Sequence, residues 1–194
     1  MSKKTLEIGL AGLGCVGMGL YEVLGQSRGL RVNIRRICVK DRHKTRQVAP
    51  HLLTYDIADL LNDPQIDVLV ELIDDAEAAF AMVSEALKRG KSVVTANKKM
   101  LAEHLPQLLE LQRQSGAALL YEGASCASIP VVRNLEEYFD NDLLVSVEAI
   151  VNGSTNYMLT LIEQDGLSFT NALALAQQRG FAESNPQLDL SGED

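Results

Sequence analysis

The chain has 194 residues, of which 46% are hydrophobic, and a formal net charge of −8. This length can bury one good core and part of a second, and the acidic balance argues against a broad nucleic-acid surface, which needs clustered cations. No apolar run approaches the roughly 20 residues that span a bilayer, and no signal peptide is apparent. The three cysteines, an odd number without C-x-x-C spacing, are typical of reduced thiols. We therefore expect a soluble cytoplasmic α/β protein with no nucleic-acid or membrane partner.

The first 122 residues alternate strand-like with helix-like segments, which is typical of a parallel sheet with crossover helices. Six strands are expected, and those with assigned bounds lie at residues 6–11, 32–39, 67–73, 92–95 and 117–122, the last of which is the sixth. Helices are predicted at residues 16–25, 76–89 and 100–114, with a short one after Asp56. We expect these segments to form a doubly wound sheet whose ligands bind outside the carboxyl ends of the strands.

A glycine-rich turn, residues 12–17, follows the first strand and opens the first helix. Its residues are Gly12, Leu13, Gly14, Cys15, Val16 and Gly17. In this context the G-x-G-x-x-G spacing predicts a dinucleotide site, although three glycines also fall at this spacing by chance in ordinary turns. The first glycine permits the tight turn, the second lets a pyrophosphate approach the backbone, and the third lets the helix pack closely on the strand. The N-terminus of the helix would then face the phosphates.

The polar loop after the second strand is expected to meet the adenosine ribose of the cofactor. An acidic residue there favours NAD, whereas a basic residue favours the 2′-phosphate of NADP. Asp41 lies between Lys40 and Arg42, so the pattern is mixed, and we lean to NADP. The alternative is a solvated charged loop without a role in binding.

Lys98 follows the predicted strand at residues 92–95, at the edge of the sheet where ligands bind. This position favours a role in the site, although most lysines at a helix start simply lie on the surface. Glu183, Asp189 and Asp194 near the end of the sequence match no metal-loop spacing, and an acidic loop is usually only solvated. From the residues alone, a function for these carboxylates stays open.

Residues 124–194 follow a different pattern. Helices are predicted from Pro130, from Gly153 and over residues 169–179, with a strand over residues 143–151. One strand and a few helices make a poor independent domain. We therefore expect two domains: a dinucleotide-binding domain at residues 1–123 and an incomplete α+β domain at residues 124–194.

Seven short motifs occur together along the chain. They are residues 12–17, Val-Glu-Leu-Ile at 70–73, Val-Val-Thr-Ala-Asn-Lys at 93–98, Tyr-Glu at 121–122, Ile-Pro at 129–130, Asn-Gly-Ser-Thr-Asn-Tyr at 152–157, and the segment 176–194 with its final Asp-Leu-Ser-Gly-Glu-Asp. Together they resemble one family, homoserine dehydrogenase. The last two motifs are specific, because other dehydrogenases of this fold do not carry them in this order.

The resemblance implies NAD(P)-dependent interconversion of L-homoserine and L-aspartate 4-semialdehyde, on the route to threonine and methionine. It also implies that Lys98 lies beside the nicotinamide and the reacting oxygen, where a lysine can help to move a proton. The residues implied to bind the cofactor are the glycine-rich turn, Lys40, Arg42, Ile73 and Lys98; those implied to bind the substrate are Glu183, Asp189 and Asp194; the implied catalytic pair is Lys98 and Asp194.

Two further expectations come from the resemblance, together with one departure. Family members can hold a sodium ion after the Tyr-Glu motif and commonly form homodimers, so the resemblance implies a sodium site here and a homodimer for the full-length protein, while monomer and altered dimer stay open for this chain. The implied sodium ligands are Glu122 and the backbone carbonyls of Ser125, Ala127 and Ile129. The departure is Asp74-Asp75, which stands where the family usually has Gly-Gly and adds charge near the expected nicotinamide region.

The family's general acid/base lysine follows the last aspartate by four residues, and this sequence stops at Asp194. The resemblance therefore implies an N-terminal fragment that binds NADP(H) and turns over homoserine poorly or not at all. Two alternatives stay open. One is a non-catalytic module that senses NAD(P), which would keep the cofactor turn beside an incomplete site. The other is a different NAD(P) dehydrogenase of amino-acid metabolism, against which the last two motifs argue.

Overall fold

The computed structural model describes residues 5–27, 29, 31–126, 129–182 and 186–192. By their contacts the residues group into two compact units, Met1–Arg133 and Asn134–Asp194. Among the described residues, no helix is long and apolar enough to cross a membrane.

The first unit is built on a sheet whose described part has six parallel strands, as predicted. The strands are β1 (Leu6–Ala11), β2 (Val32–Cys38), β3 (Leu53–Thr54), β4 (Val68–Glu71), β5 (Ser92–Thr95) and β6 (Leu119–Leu120). Their order is β3-β2-β1-β4-β5-β6, so the direction of winding reverses between β1 and β4. In doubly wound sheets this reversal opens a crevice outside the carboxyl ends of the strands, and ligands bind there.

Helices cover both faces of this sheet. They are α1 (Cys15–Gln26), α2 (Ala58–Leu61), α3 (Ala76–Lys88), α4 (Lys98–Ser115) and α5 (Glu122–Ser125). Successive strand residues point to opposite faces: Leu69 packs in a cluster with residues of α3 and α4, whereas Val70 packs in a cluster with residues of α1. Burial on both faces explains why the central strands are mainly apolar rather than alternating.

The described part of the second unit consists of helices and irregular segments. The helices are α6 (Val131–Tyr138), which begins before the boundary, α7 (Gly153–Asp165), α8 (Phe169–Gln178) and α9 (Gln187–Ser191). The side chains of Asn152 and Ser168 cap α7 and α8 by accepting backbone N–H groups of their first turns. Met158 and Leu161 of α7 are buried against Ala172 and Ala176 of α8.

Two predicted strands differ most from the structure, and β3 has no counterpart among the ranges predicted above. The sixth strand shortens from residues 117–122 to β6, because α5 begins at Glu122. The strand predicted at residues 143–151 is wrong: residues 144–152 have no regular secondary structure, and Val145 is 94% exposed. A strand needs a neighbour for its N–H and C=O groups, and the described residues of 134–194 include no other strand that could supply one.

Candidate dinucleotide site

The glycine-rich turn leads from β1 into α1 at the point where the sheet reverses. Gly12 has φ +98°, and a Cβ on it would lie 2.5 Å from the carbonyl oxygen of Leu72. A Cβ on Gly17 would lie 2.5 Å from the carbonyl oxygen of Gly12. Because the obstructing atoms are backbone atoms that cannot move aside, the packing of the protein itself requires glycine at both positions.

Gly14 differs from the other two glycines of the turn. A Cβ on it would meet no atom within 4 Å, and its φ of −80° is open to any residue. Gly14 is the exposed N-cap of α1, and no side chain caps the helix there. The space before this uncapped helix N-terminus is open, and the backbone N–H groups and the helix dipole there would favour an anion.

The loop after β2 holds the residues predicted to meet the adenosine ribose. One oxygen of the Asp41 carboxylate accepts the backbone N–H of His43 at 2.8 Å, so it is already used within the loop. The guanidinium carbon of Arg42 lies 4.8 Å from the centre of the Tyr55 ring, and Lys40 and Arg42 are both exposed. Exposed cations beside a partly engaged carboxylate suit a phosphate better than a ribose hydroxyl.

A buried polar network joins the carboxyl ends of β4 and β5. Glu71, the last residue of β4, is 0% exposed. Its Oε1 accepts the backbone N–H of Ile73 at 2.8 Å, and its Oε2 accepts the Thr95 hydroxyl at 2.5 Å. The same Thr95 oxygen accepts the backbone N–H of Asn97 at 3.1 Å. Burial raises the pKa of Glu71, and the hydrogen bonds from Thr95, Ile73 and Asn97 only partly oppose it.

Asn97 extends this network to the start of α4. Its Oδ1 accepts the backbone N–H of Met100 at 2.9 Å and so caps the helix, while its Nδ2 donates to the Ile73 carbonyl at 3.1 Å. Lys98 is the first residue of the capped helix and is exposed. The Ile73 side chain lies 3.3 Å from the position that a Cβ on Gly12 would take. The structure therefore brings Ile73 and the start of α4 to the same edge of the sheet as the glycine-rich turn.

Asp74 and Asp75, which depart from the family's Gly-Gly, occupy the loop between β4 and α3. The Asp75 carboxylate accepts the backbone N–H of Ala78 at 3.0 Å and is the N-cap of α3. Asp74 is exposed. One of the two added charges thus has a structural role, because a carboxylate at this position satisfies a helix N–H group and suits the positive end of the helix dipole.

Two of the residues predicted to hold sodium, Glu122 and Ile129, are engaged in other contacts. Both Glu122 carboxylate oxygens accept backbone N–H groups at the start of α6, those of residues 132 and 133, each at 3.0 Å. The Ile129 carbonyl accepts a backbone N–H at 2.8 Å. Ser125 is the exposed last residue of α5, and Ala127 lies outside the described residues. The sodium site stays a prediction.

Of the three acidic residues predicted to bind substrate, Asp189 is the one within the described residues. It lies on α9, and its Oδ1 accepts the side-chain Nδ2 of Asn152 at 2.6 Å. Because Asn152 also caps α7, Asp189 is tied to the start of that helix. Glu183 and Asp194 lie outside the described residues.

Sequence reasoning assigned no role to Glu71, Thr95 or Asn97, although all three lie inside the motifs. One signal was available, since Glu71 interrupts an apolar strand that is expected to be buried on both faces, and a buried carboxylate needs hydrogen-bond donors. A second signal was Asn97, which directly precedes a helix and is of the residue type preferred at N-caps.

The strand order, the glycine-rich turn and the open helix N-terminus together define a Rossmann-type dinucleotide-binding domain. Residues 12–122 match the family model described as "Homoserine dehydrogenase, NAD binding domain", and residues 130–194 match the model described as "Homoserine dehydrogenase". The chain belongs to the homoserine dehydrogenase family. The expected fold class and a nicotinamide dinucleotide as cofactor are thereby confirmed.

Individual relatives agree with this family. The homoserine dehydrogenase of Synechocystis is 35% identical over 197 residues, which cover 98% of this chain and 46% of that protein. The homoserine dehydrogenase of Corynebacterium glutamicum is 38% identical, with 98% of this chain and 44% of that protein covered. A crystal structure of the Thiobacillus denitrificans homoserine dehydrogenase has a TM-score of 0.85 and 33% identity, covering 96% of this chain and 45% of that one. The chain thus spans about half the length of the relatives that it matches.

Proposed function

We propose that this chain supplies the cofactor site and part of the substrate site of a homoserine dehydrogenase, which interconverts L-homoserine and L-aspartate 4-semialdehyde with NAD(P)(H). The observation that carries the proposal is the open space at Gly14, before an uncapped helix N-terminus, in a chain of this family. Because the chain spans about half the length of its relatives, the proposal concerns the activity of the whole protein.

When bound, a nicotinamide cofactor supplies the hydride chemistry. The residues of this chain would bind, orient and handle the proton. The N-terminus of α1 would hold the pyrophosphate. The exposed Lys98 ammonium would donate a hydrogen bond to the reacting oxygen and help to move its proton. Glu183 and Asp194 would bind the substrate ammonium with their carboxylates, and Asp189 would shape the same pocket.

We also infer a preference for NADP over NAD. The exposed side chains of Lys40 and Arg42 support it, because two cations suit a 2′-phosphate. The contact of the Asp41 carboxylate with the His43 backbone also supports it, since that oxygen is not offered to a ribose hydroxyl. The expected homodimer, like the sodium ion, stays a prediction.

The proposal is tested by replacing Lys98. Assays use the product of the complete gene, with L-homoserine and NADP⁺ or NAD⁺ as substrates. We expect Lys98→Ala to lower kcat at least about 100-fold, the scale of a lost proton-transfer group, and to change the Kd of NADPH by less than about threefold.

Lys99→Ala is the matched control, because Lys99 is the next residue and its ammonium lies 4.0 Å from Glu103 on the surface of α4. It should leave kcat unchanged. An unchanged kcat in Lys98→Ala would remove Lys98 from the catalytic assignment. A wild-type protein that reduced neither cofactor with homoserine would overturn the proposed activity.

A further inference from the structure

Glu71 is a buried carboxylate whose described partners are all neutral. Its two oxygens accept an amide N–H and a hydroxyl, from Ile73 and Thr95, and the groups that shift its pKa include no cation. Burying an ionisable group without an opposite charge is costly. Val, Leu or Met would fill the same space in the sheet without that cost. The carboxyl group therefore calls for an explanation beyond packing.

The network holds Ile73 from two sides. Glu71 accepts the backbone N–H of Ile73, and Asn97 donates to its carbonyl, so both backbone polar groups of Ile73 are fixed. Thr95 connects the two, because its hydroxyl donates to Glu71 and accepts from the backbone N–H of Asn97. Asn97 also caps α4, whose first residue is Lys98. One set of hydrogen bonds thus fixes the loop after β4 and the start of α4 together.

These two segments lie on the nicotinamide side of the crevice. In a doubly wound sheet the cofactor crosses the reversal point, with its pyrophosphate on the first turn and its adenosine toward the end of β2. The other half of the cofactor must therefore extend over the ends of β4 and β5. Both ends carry the network: Glu71 closes β4, and Thr95 closes β5.

We propose that Glu71 is a positioning residue, which acts through Thr95 and Asn97 to hold the loop after β4 and the start of α4 as one preformed wall for the nicotinamide half of the cofactor. This inference rests on the proposed function. A wall that is already ordered before binding costs no ordering entropy when the nicotinamide arrives. The same wall fixes the position from which the Lys98 side chain extends.

The test cuts the network at Thr95 and compares two ligands. Thr95→Val keeps the shape of the side chain and removes the hydroxyl, whereas Thr95→Ser keeps the hydroxyl. The 194-residue chain is titrated with NADPH or NADH, whichever the wild type binds more tightly. It is then titrated with the matching ligand that lacks nicotinamide, 2′-phospho-ADP-ribose or ADP-ribose. Thermal unfolding of each variant shows that it is folded.

We expect Thr95→Val to weaken binding of the reduced cofactor about fivefold, the scale of one lost hydrogen bond. Its affinity for the nicotinamide-free ligand should stay within about twofold of wild type, because that half of the crevice is untouched. Thr95→Ser should restore the wild-type ratio of the two affinities. A purely structural role would lower both affinities together and leave their ratio unchanged.

Asn97→Ser is the second variant, in case Thr95→Val does not fold. Serine is also a good N-cap, so α4 keeps its cap, while the contacts of the Asn97 amide with the Ile73 carbonyl and with Glu71 are lost. The same shift in the ratio of affinities is expected. An unchanged ratio in the folded variants overturns the positioning role while leaving the proposed function intact. A wild-type chain that binds neither the reduced cofactor nor its nicotinamide-free part overturns both.

Discussion

Glu71 combines complete burial with a partner set of neutral donors, and this decides how it responds to pH. Burial penalises the charged form of a carboxyl group, so its pKa lies above the ordinary value of 4.5. The folded protein therefore holds the proton more tightly than the unfolded chain does. The resulting stabilisation is present below the unfolded pKa and is lost as pH rises through the folded pKa.

The pH dependence can be isolated with Glu71→Gln, which imitates the protonated side chain and cannot ionise. Near pH 4 we expect wild type and variant to have similar free energies of unfolding. As pH rises from 4.5, the variant should become more stable than the wild type. The gain is about 1.4 kcal/mol for each unit by which folding raises the pKa. Urea unfolding at several pH values measures it.

Glu22→Gln is the control for this experiment, because Glu22 is an exposed carboxylate on α1. Its removal takes away one charge without relieving a buried one, so its effect should vary little over the same pH range. If instead the wild type gained on Glu71→Gln with rising pH, the site would stabilise the ionised carboxylate and the assigned direction would be wrong.

At this scale the sequence predicted some features and missed others for a physical reason. The spacing of Gly12, Gly14 and Gly17 indicated the turn, because backbone contacts select glycine at positions 12 and 17 and the approach of a pyrophosphate favours it at position 14. Lys98 was noticed because its place after a strand can be read along the chain. The hydrogen bond between Thr95 and Glu71 could not be predicted in this way, because the two residues are 24 positions apart and only the pairing of β4 with β5 brings them together.

At the scale of single elements, we propose that the N-terminus of α1 is the part of the sheet-and-helix framework that binds the cofactor. Asp75 caps α3 and Asn97 caps α4 with their side chains, whereas α1 has no such cap. A side-chain cap would occupy the very N–H groups that a phosphate needs. The missing cap at Gly14 therefore costs some helix stability and leaves these N–H groups open to a ligand.

Two glycines of α1 provide a matched test of this view. A Cβ on either Gly14 or Gly19 would meet no atom within 4 Å. We expect Gly14→Ala to weaken NADPH binding about tenfold or more, because the methyl group enters the space left for the pyrophosphate. Gly19→Ala should keep the affinity and stabilise the protein by about 0.5–1 kcal/mol, as expected for a helix interior.

Titration with NADPH and thermal unfolding of both variants provide the measurements. Wild-type affinity in Gly14→Ala would mean that the pyrophosphate lies elsewhere.

The strand predicted at residues 143–151 shows the limit of predictions made from local sequence pattern. Its apolar pattern suits a strand, but pairing depends on a neighbour that no local pattern specifies.

At the scale of the whole molecule, the candidate site residues fall in both compact units. The glycine-rich turn, the Glu71 network and Lys98 all lie within Met1–Arg133. Asp189 lies in the second unit. Glu122 adds a tie near the boundary, because its carboxylate accepts N–H groups at the start of α6. From the position of the turn, the network and Lys98 we expect cofactor binding to reside in the first unit.

This division predicts what a shortened chain can do. Residues 1–138 contain the whole sheet and all of α6, and we expect them to bind NADPH within about twofold of the 194-residue chain. Residues 1–123 end at the boundary predicted from sequence, but lose the donors to Glu122 and the buried Ala124. The fragment of residues 1–123 should therefore unfold at a lower temperature than the fragment of residues 1–138. A large loss of affinity in residues 1–138 would show that the second unit contributes to the cofactor site.

The close approach of the Leu72 carbonyl to Gly12, and of the Gly12 carbonyl to Gly17, also bears on how this turn can drift or be engineered. Backbone atoms define the shape of the loop. The side chains of Cys15 and Val16 face solvent and therefore contribute little to the stability of the fold. A library aimed at a new cofactor can vary those two positions broadly. It has to leave positions 12 and 17 untouched, since every alternative there would displace main chain rather than a movable side chain.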